Sequence, residues 1–426
     1  MRFIYSLLLY LLAPWVLTRL AWRGLRNRGY WQRWGERFGF VPRLEGPVIW
    51  LHAVSVGEVR ASAPLVKALA RDYPGHRILI TTMTPTGSAT VRDLFGDSVA
   101  HSYVPYDLPT AVWRFLNRTR PRLALIMETE LWPNLFHQCR ARGIPLILAN
   151  VRMSEKSARG YRRVASLARA TLGKVRRVGA QSQADAQRMV ALGAAPDAVR
   201  ITGSIKFEMH LPDDLTTQAG TLRAGLGKRP VWIAASTRAG EEEQVLDAFA
   251  LLRQSSPELL LVLVPRHPER FDAVAKLCRQ RGFAIERRSA RRDRVAPETA
   301  ILLGDTMGEL LLFHAAADVA FIGGSLAPLG GQNLLEAAAV GTPVVFGPHM
   351  FNFTEISRMT IEQGAGRQVR DAAELASVVA DYLKNPEARR AAGAAGRAMV
   401  EENRGALERT LALVRRAFEE SKPAQD

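Results

Sequence analysis

Several short segments place polar side chains directly after apolar, β-branched runs. Parallel α/β sheets bind ligands beyond the carboxyl ends of their strands, so these are the positions where chemistry is expected. After VIWLH (Val48 to His52) comes AVSVGE, in which Ser55 and Gly57 make a turn and Glu58 opens a helix. A carboxylate there is held ionised by the helix macrodipole and has the signature of an ordinary capping residue. At the mouth of a sheet it is also a candidate general base. After RLALIM (Arg122 to Met127) comes ETELWPN, with Glu128, Thr129 and Glu130. Two carboxylates following a buried strand are costly unless solvated or paired, and a helix-start role suits Glu130 better than Glu128. ITGSIKF then places Lys206 behind a Gly-Ser turn, where an inter-domain cleft is expected to open.

The second half repeats the pattern with different groups. LLLVLVPRHPER ends a strand with Pro265 and Arg266, and a guanidinium at a strand end suits a phosphate or carboxylate. GDTMGEL offers Asp305, Thr306, Met307 and Gly308 in a polar turn that opens a helix. FIGGSLAPLGGQNLLEAA is a glycine-rich loop leading into a helix begun by Gln332 and Asn333 and carrying Glu336. Glycines let backbone approach a ligand, amides at a helix start receive phosphate, and a carboxylate can accept from a ribose hydroxyl. Three such turns after three strands of one domain describe a nucleotide site. GxxxxGK[ST] and GxGxxG are absent, which argues against a P-loop NTPase or a standard dinucleotide enzyme; HExxH and GxSxG are absent as well.

These turns need parallel sheets to position them. The first half supplies strands at Val48 to His52, Arg77 to Thr82, Arg122 to Met127, Pro145 to Asn150 and Arg176 to Gln181. The second supplies Val231 to Ser236, Leu259 to Pro265, Ala300 to Asp305, Val319 to Gly324 and Pro343 to Gly347. Helical patterns alternate with them, so two doubly wound α/β domains follow, as 426 residues at roughly 100–200 per domain also suggest. The polar stretch from His210 to Arg229 sets the boundary near Pro212. The expected division is 1–22, 23–211, 212–384 and a helical tail 385–426, which can pack back across the other domain.

Phe3 to Thr18 carries no charge and is just long enough to reach across a bilayer, for which about 20 apolar residues are needed. Arg23, Arg26, Arg28, Arg33, Arg37 and Arg43 follow, interleaved with Trp22, Tyr30, Trp31, Trp34 and Phe38. That composition fits a chain meeting anionic headgroups and holds the remainder on the cytoplasmic side. The first 22 residues are therefore expected to anchor the chain in a membrane, either spanning it or lying on it; a buried first helix interrupted at Pro14 is the alternative. Further arginines cluster at Arg287, Arg288, Arg291, Arg292 and Arg294, and the net charge of +17 calls for anionic partners. No RRM, KH or helix-turn-helix signature accompanies the clusters, so nucleic acid is not expected. Cys139 and Cys278 are isolated, which argues against a disulfide framework or structural zinc and fits a reducing compartment.

LHAVSVGE, METELWPN, GSIKF, PRHPER, GDTMGEL and GGQNLLE, in this order behind a hydrophobic N-terminus, resemble the 3-deoxy-D-manno-octulosonic acid (Kdo) transferases of lipopolysaccharide assembly. The resemblance implies a GT-B glycosyltransferase of the bacterial inner membrane. Two Rossmann-like domains would face a central cleft, with the acceptor in the first and the nucleotide-sugar in the second. It implies CMP-Kdo as donor and the tetraacyl, bisphosphorylated lipid A precursor as acceptor, with inversion. Glu58 would be the base, and Glu128 and Lys206 would stabilise the transition state. Pro265, Arg266, Met307, Gly308, Glu309, Asn333, Leu334, Leu335 and Glu336 would hold CMP. Because CMP departs as a monophosphate, no metal is expected. Another GT-B nucleotide-sugar transferase or epimerase would share the architecture.

Overall fold

The structure is a computed structural model that describes residues 1–26, 28–209, 211–290 and 294–420. Arg291, Arg292 and His210 lie outside the described residues. The chain divides into two compact units, Met1–Glu208 with Arg404–Asp426, and Met209–Asn403.

The first unit is built on a parallel sheet of β1 (Val48–His52), β2 (Arg77–Thr82), β3 (Ala100–Tyr103), β4 (Pro121–Met127), β5 (Leu146–Val151), β6 (Arg177–Ala180) and β7 (Val199–Ile201). Their order is β3-β2-β1-β4-β5-β6-β7. All five residues of β1 are buried, as expected for a central strand covered on both faces. Val48 and Trp50 of β1, with Ala124 and Ile126 of β4, pack on Val112 and Phe115 of helix Pro109–Thr119 and Leu135 and Phe136 of helix Pro133–Ala141. The alternate residues Ile49, Leu51, Leu123 and Leu125 face helix Val56–Asp72 through Leu65, Val66 and Leu69. Leu411, Val414 and Ala417 of the last helix, Ala406–Glu419, complete that same core. The segment 385–426 is thus not one tail: helix Pro386–Glu402 belongs to the second unit, and Ala406–Glu419 returns to the first.

The second unit carries β8 (Val231–Thr237), β9 (Leu260–Pro265), β10 (Ile285–Arg287), β11 (Ile301–Leu303), β12 (Val319–Ile322), β13 (Val344–Phe346) and β14 (Gly366–Gln368). These also form one parallel sheet, in the order β10-β11-β9-β8-β12-β13-β14. Trp232 and Ala234 of β8 pack on Val245 and Phe249 of helix Glu242–Ser255 and on Leu375 and Val379 of helix Ala372–Lys384. The boundary falls between Glu208 and Met209, a few residues before the expected one. The polar stretch beyond it holds helix Leu215–Leu226, which buries Leu215, Ala219, Leu222 and Leu226 at helical spacing.

All ten strands read from the sequence form. The four additional ones, β3, β7, β10 and β14, are the four edges of the two sheets. They are three or four residues long and partly exposed, which is how natural sheets blunt their edges and why no apolar run announces them.

The N-terminal segment is a single helix, Arg2–Arg26, continuous through Pro14. It extends past the expected anchor into the arginine cluster. Residues 2–25 are long and apolar enough to cross a membrane, with mean hydropathy 1.6. Phe3, Leu7, Leu8, Leu11 and Trp15 are exposed, whereas Ser6 donates to Asn134 Oδ1 at 3.0 Å and Tyr10 hydrogen-bonds Thr110 at 3.0 Å.

Leu411 is 1% exposed, so Leu411→Ala should destabilise the first unit by about 2–5 kcal/mol, read as a shift in its urea midpoint. A cost below about 1 kcal/mol would mean that the returning helix adds little to this core.

Candidate active site

Strand order reverses where β1 sits beside β4 and where β8 sits beside β12. Ligands of open α/β sheets bind at such switch points. In the first unit, β1 and β4 run in register, with Trp50 opposite Ala124 and His52 opposite Ile126. The two acidic segments therefore start from adjacent strand ends.

Ser55 caps helix Val56–Asp72, its hydroxyl accepting from the Glu58 amide. The Glu58 carboxylate accepts from the Val54 amide at 2.7 Å and the Ser55 hydroxyl at 2.9 Å. Glu58 thus closes the helix start from the third position, reaching back past the N-cap, yet its carboxyl is pushed up to about 7, first by burial and then by the negative charge of Glu128. Capping and proton exchange near neutrality coexist in one group. Glu128 follows β4 with φ +56, a left-handed conformation that costs a non-glycine residue of order 1–3 kcal/mol. Burial lowers the Lys206 pKa and nearby Arg152 adds to this, while Glu128 and Glu58 oppose both. Glu58, Glu128 and Lys206 thus form one electrostatically coupled group. Glu130 is turned to Trp132, whose indole donates to it at 2.8 Å, and burial raises its pKa.

Residues that sequence reading did not single out support this group. Asn150, buried and at φ +56, accepts from the Ile205 amide at 3.0 Å and so fixes the turn that carries Lys206. Asp107 accepts from the Asn134 and Leu135 amides at 3.0 and 2.7 Å, capping the helix that begins in METELWPN. Burial pushes its carboxyl up to about 7. His52, buried at the end of β1, is lowered to about 4 by burial and is therefore neutral. The alternation of strand residues hinted at the last; the first two are tertiary pairings with no local signal.

In the second unit, Pro265, Arg266, Met307, Gly308 and Glu336 line one cavity of about 440 Å³, with Ser236 and Thr306. Arg266 Nε donates to Gln332 Oε1 at 3.2 Å. Asn333 Nδ2 donates to Glu336 Oε1 at 2.9 Å, and burial raises the Glu336 pKa. The other expected ligands are placed differently. Leu334 and Leu335 have buried side chains, so only their backbone is available. Glu309 turns to Arg288 at 2.8 Å and to Thr306, beside a separate cavity. Asp305 accepts from the Ser289 amide and hydroxyl.

Sequence reading also missed the residue that shapes the glycine-rich loop. Glu241 is fully buried and accepts from three successive amides, Gly324 at 2.6 Å, Ser325 at 2.9 Å and Leu326 at 2.9 Å. The close approach of β8 and β12 requires Gly323, where a Cβ would stand 2.6 Å from the Ser236 carbonyl oxygen.

Residues 32–209 match the family described as 3-deoxy-D-manno-octulosonic-acid transferase (kdotransferase), and residues 240–399 match glycosyl transferases group 1. The 3-deoxy-D-manno-octulosonic acid transferase of Haemophilus influenzae is 43% identical over 97% of this chain and 98% of its own. The chain belongs to the Kdo transferase family. A second member, from Bordetella pertussis, is 40% identical over 96% of this chain and 98% of its own. The two-sheet architecture is shared with a glycosyltransferase from Rickettsia africae, at TM-score 0.56 and 14% identity, over 89% of this chain and 99% of that one. This Kdo transferase is accordingly a glycosyltransferase of GT-B fold.

The raised Glu58 pKa carries a stability signature. The folded carboxyl keeps its proton up to about 7, whereas the unfolded one releases it near 4.5. Between these values only the unfolded chain sheds the proton, so rising pH favours unfolding. The wild type should therefore lose stability relative to Glu58→Gln as pH rises through this window. Urea midpoints at about pH 5 and pH 8 measure it, and a gap that stays constant would refute the shift.

Proposed function

We propose that this family member transfers Kdo from CMP-Kdo to the lipid A precursor with inversion, Glu58 acting as the general base. The observation that carries this reading is a carboxyl at the first sheet's switch point, raised to about 7 by burial and by Glu128. A general base works best when its pKa lies near the operating pH. Ionised Glu58 takes the proton of the acceptor hydroxyl as that oxygen bonds to the anomeric carbon. The bond from this carbon to the phosphate oxygen breaks on the opposite side, and CMP leaves as a monophosphate. The coupled Lys206 and Glu128 adjust charge around the reacting groups. No diphosphate is released, so the reading includes no metal.

CMP is assigned to the cavity of Arg266, Met307, Gly308 and Glu336. Arg266 supplies charge to phosphate, and Glu336, linked to Asn333, can accept from the ribose. The helix Arg2–Arg26 and the arginines that follow it hold the enzyme at the anionic cytoplasmic face of the inner membrane, where an acylated acceptor resides.

The direct test is mass measurement of the product formed from CMP-Kdo and the lipid A precursor by the purified enzyme; no mass gain would end this reading. Transfer should rise with pH through about 7 as Glu58 ionises. Glu58→Gln should lower it by about 10² to 10⁴ with CMP affinity nearly intact, since the two residue sets lie in different units. Wild-type turnover, or an equal loss of CMP affinity, would remove Glu58 from the role. Arg266→Ala should weaken CMP binding by about 1.5–3 kcal/mol in calorimetry, and unchanged affinity would place the nucleotide elsewhere.

A further inference from the structure

A cavity of about 1140 Å³ in the first unit lies at the end of the sheet opposite Glu58. Its walls come from residues at the amino ends of strands, among them His76 before β2, Pro121 and Arg122 of β4, and Ile144 before β5. Seven arginines line it against a single carboxylate, Glu419. Arginines at helix C-termini complement the macrodipole, and some of these do structural work. Arg114 and Arg118 donate to the carbonyls of Phe38 and Val41, and Arg142 donates to Gln138 Oε1 at 2.9 Å. Arg415 pairs with Glu408 at 3.2 Å and approaches Asp72 at 3.9 Å.

The remainder is a surplus. Arg43, Arg120 and Arg122 are exposed, line the same cavity, and have no carboxylate within ion-pair distance among the described residues. The wall between them is aromatic: Trp113 is 56% exposed, and His76 stacks edge-on against Phe418 at 5.6 Å. Burial, and then the neighbouring Arg122, lower the His76 pKa. A concave surface with unpaired guanidiniums around a flat apolar wall suits an anion with several phosphate oxygens, because guanidinium forks match phosphate in pairs.

We propose that this cavity is a second anion site, separate from the transfer site, which binds a phosphate-bearing ligand through Arg43, Arg120 and Arg122. The phosphate can come from a lipid headgroup or from a soluble phosphorylated compound. The test compares the full-length protein with a triple variant, Arg43→Ala, Arg120→Gly and Arg122→Ala. Glycine is chosen at 120 because that residue has φ +43 at a helix C-cap. Arg279→Ala, an exposed arginine of the second unit, is the control.

Each protein is titrated with inorganic pyrophosphate, and with phosphatidylcholine vesicles with and without phosphatidylglycerol. Any pyrophosphate bound in the second unit is common to all three proteins, so differences report this cavity. The triple variant should lose roughly tenfold or more in affinity, the effect of one charged hydrogen bond, while the control keeps wild-type binding. A loss towards pyrophosphate identifies a soluble ligand, and a loss confined to phosphatidylglycerol vesicles identifies a headgroup. Unchanged affinity for both probes, in a variant with wild-type thermal unfolding, overturns the proposal. If the triple variant unfolds early, Arg122→Ala alone is judged by the same criteria.

Discussion

Parallel pairing of β1 with β4 is the constraint on which the first unit's acidic cluster depends. All strands of a parallel sheet end on one edge, and only at the order reversal do two neighbouring strands send their following segments apart. Glu58 and Glu128 leave from that point. Their closeness, added to burial, raises the Glu58 pKa well above a capping carboxylate's usual range. The turn holding Lys206 is then tied to the same place through Asn150. Three residues far apart in sequence become one coupled set because strand pairing places two of them and a buried side chain, Asn150, fixes the turn of the third.

The second unit solves a related problem with a buried charge. Its glycine-rich loop turns three consecutive amides inward, and in an interior site such donors need an acceptor. Glu241 supplies one from the turn after β8. A buried carboxylate is tolerable only when its oxygens are satisfied, so loop and carboxylate stabilise each other. The loop that approaches the Arg266 and Glu336 cavity is held in shape by a residue outside that cavity.

The two ends of the first sheet divide their charges in opposite ways. Its carboxyl edge gathers Glu58, Glu128 and Glu130 around Lys206. Its amino edge, where helices end, gathers arginines. Helix macrodipoles favour both arrangements, and the proposed anion site rests on the arginines at the amino edge that no carboxylate or backbone carbonyl occupies.

The sequence by itself determined the ten interior strands, since a strand buried on both faces must be continuously apolar. It also determined the N-terminal helix, and that Glu58, Glu128, Lys206, Arg266, Met307, Gly308 and Glu336 follow strands, where ligands of this fold are bound. Tertiary structure alone decided the rest. The four edge strands owe their conformation to one hydrogen-bonded neighbour rather than to their own residues. The last helix reads as amphipathic whichever unit it covers, and only the open face beside Val56–Asp72 places Leu411 and Val414 there. Glu241, Asn150 and Asp107 look like ordinary polar loop residues until folding brings amides to them from distant segments. Glu309 matches its motif as well as Glu336 does, yet Arg288 draws it away from the cavity. Composition gives a carboxylate its ordinary pKa; burial and neighbours, which exist only in the folded chain, move it.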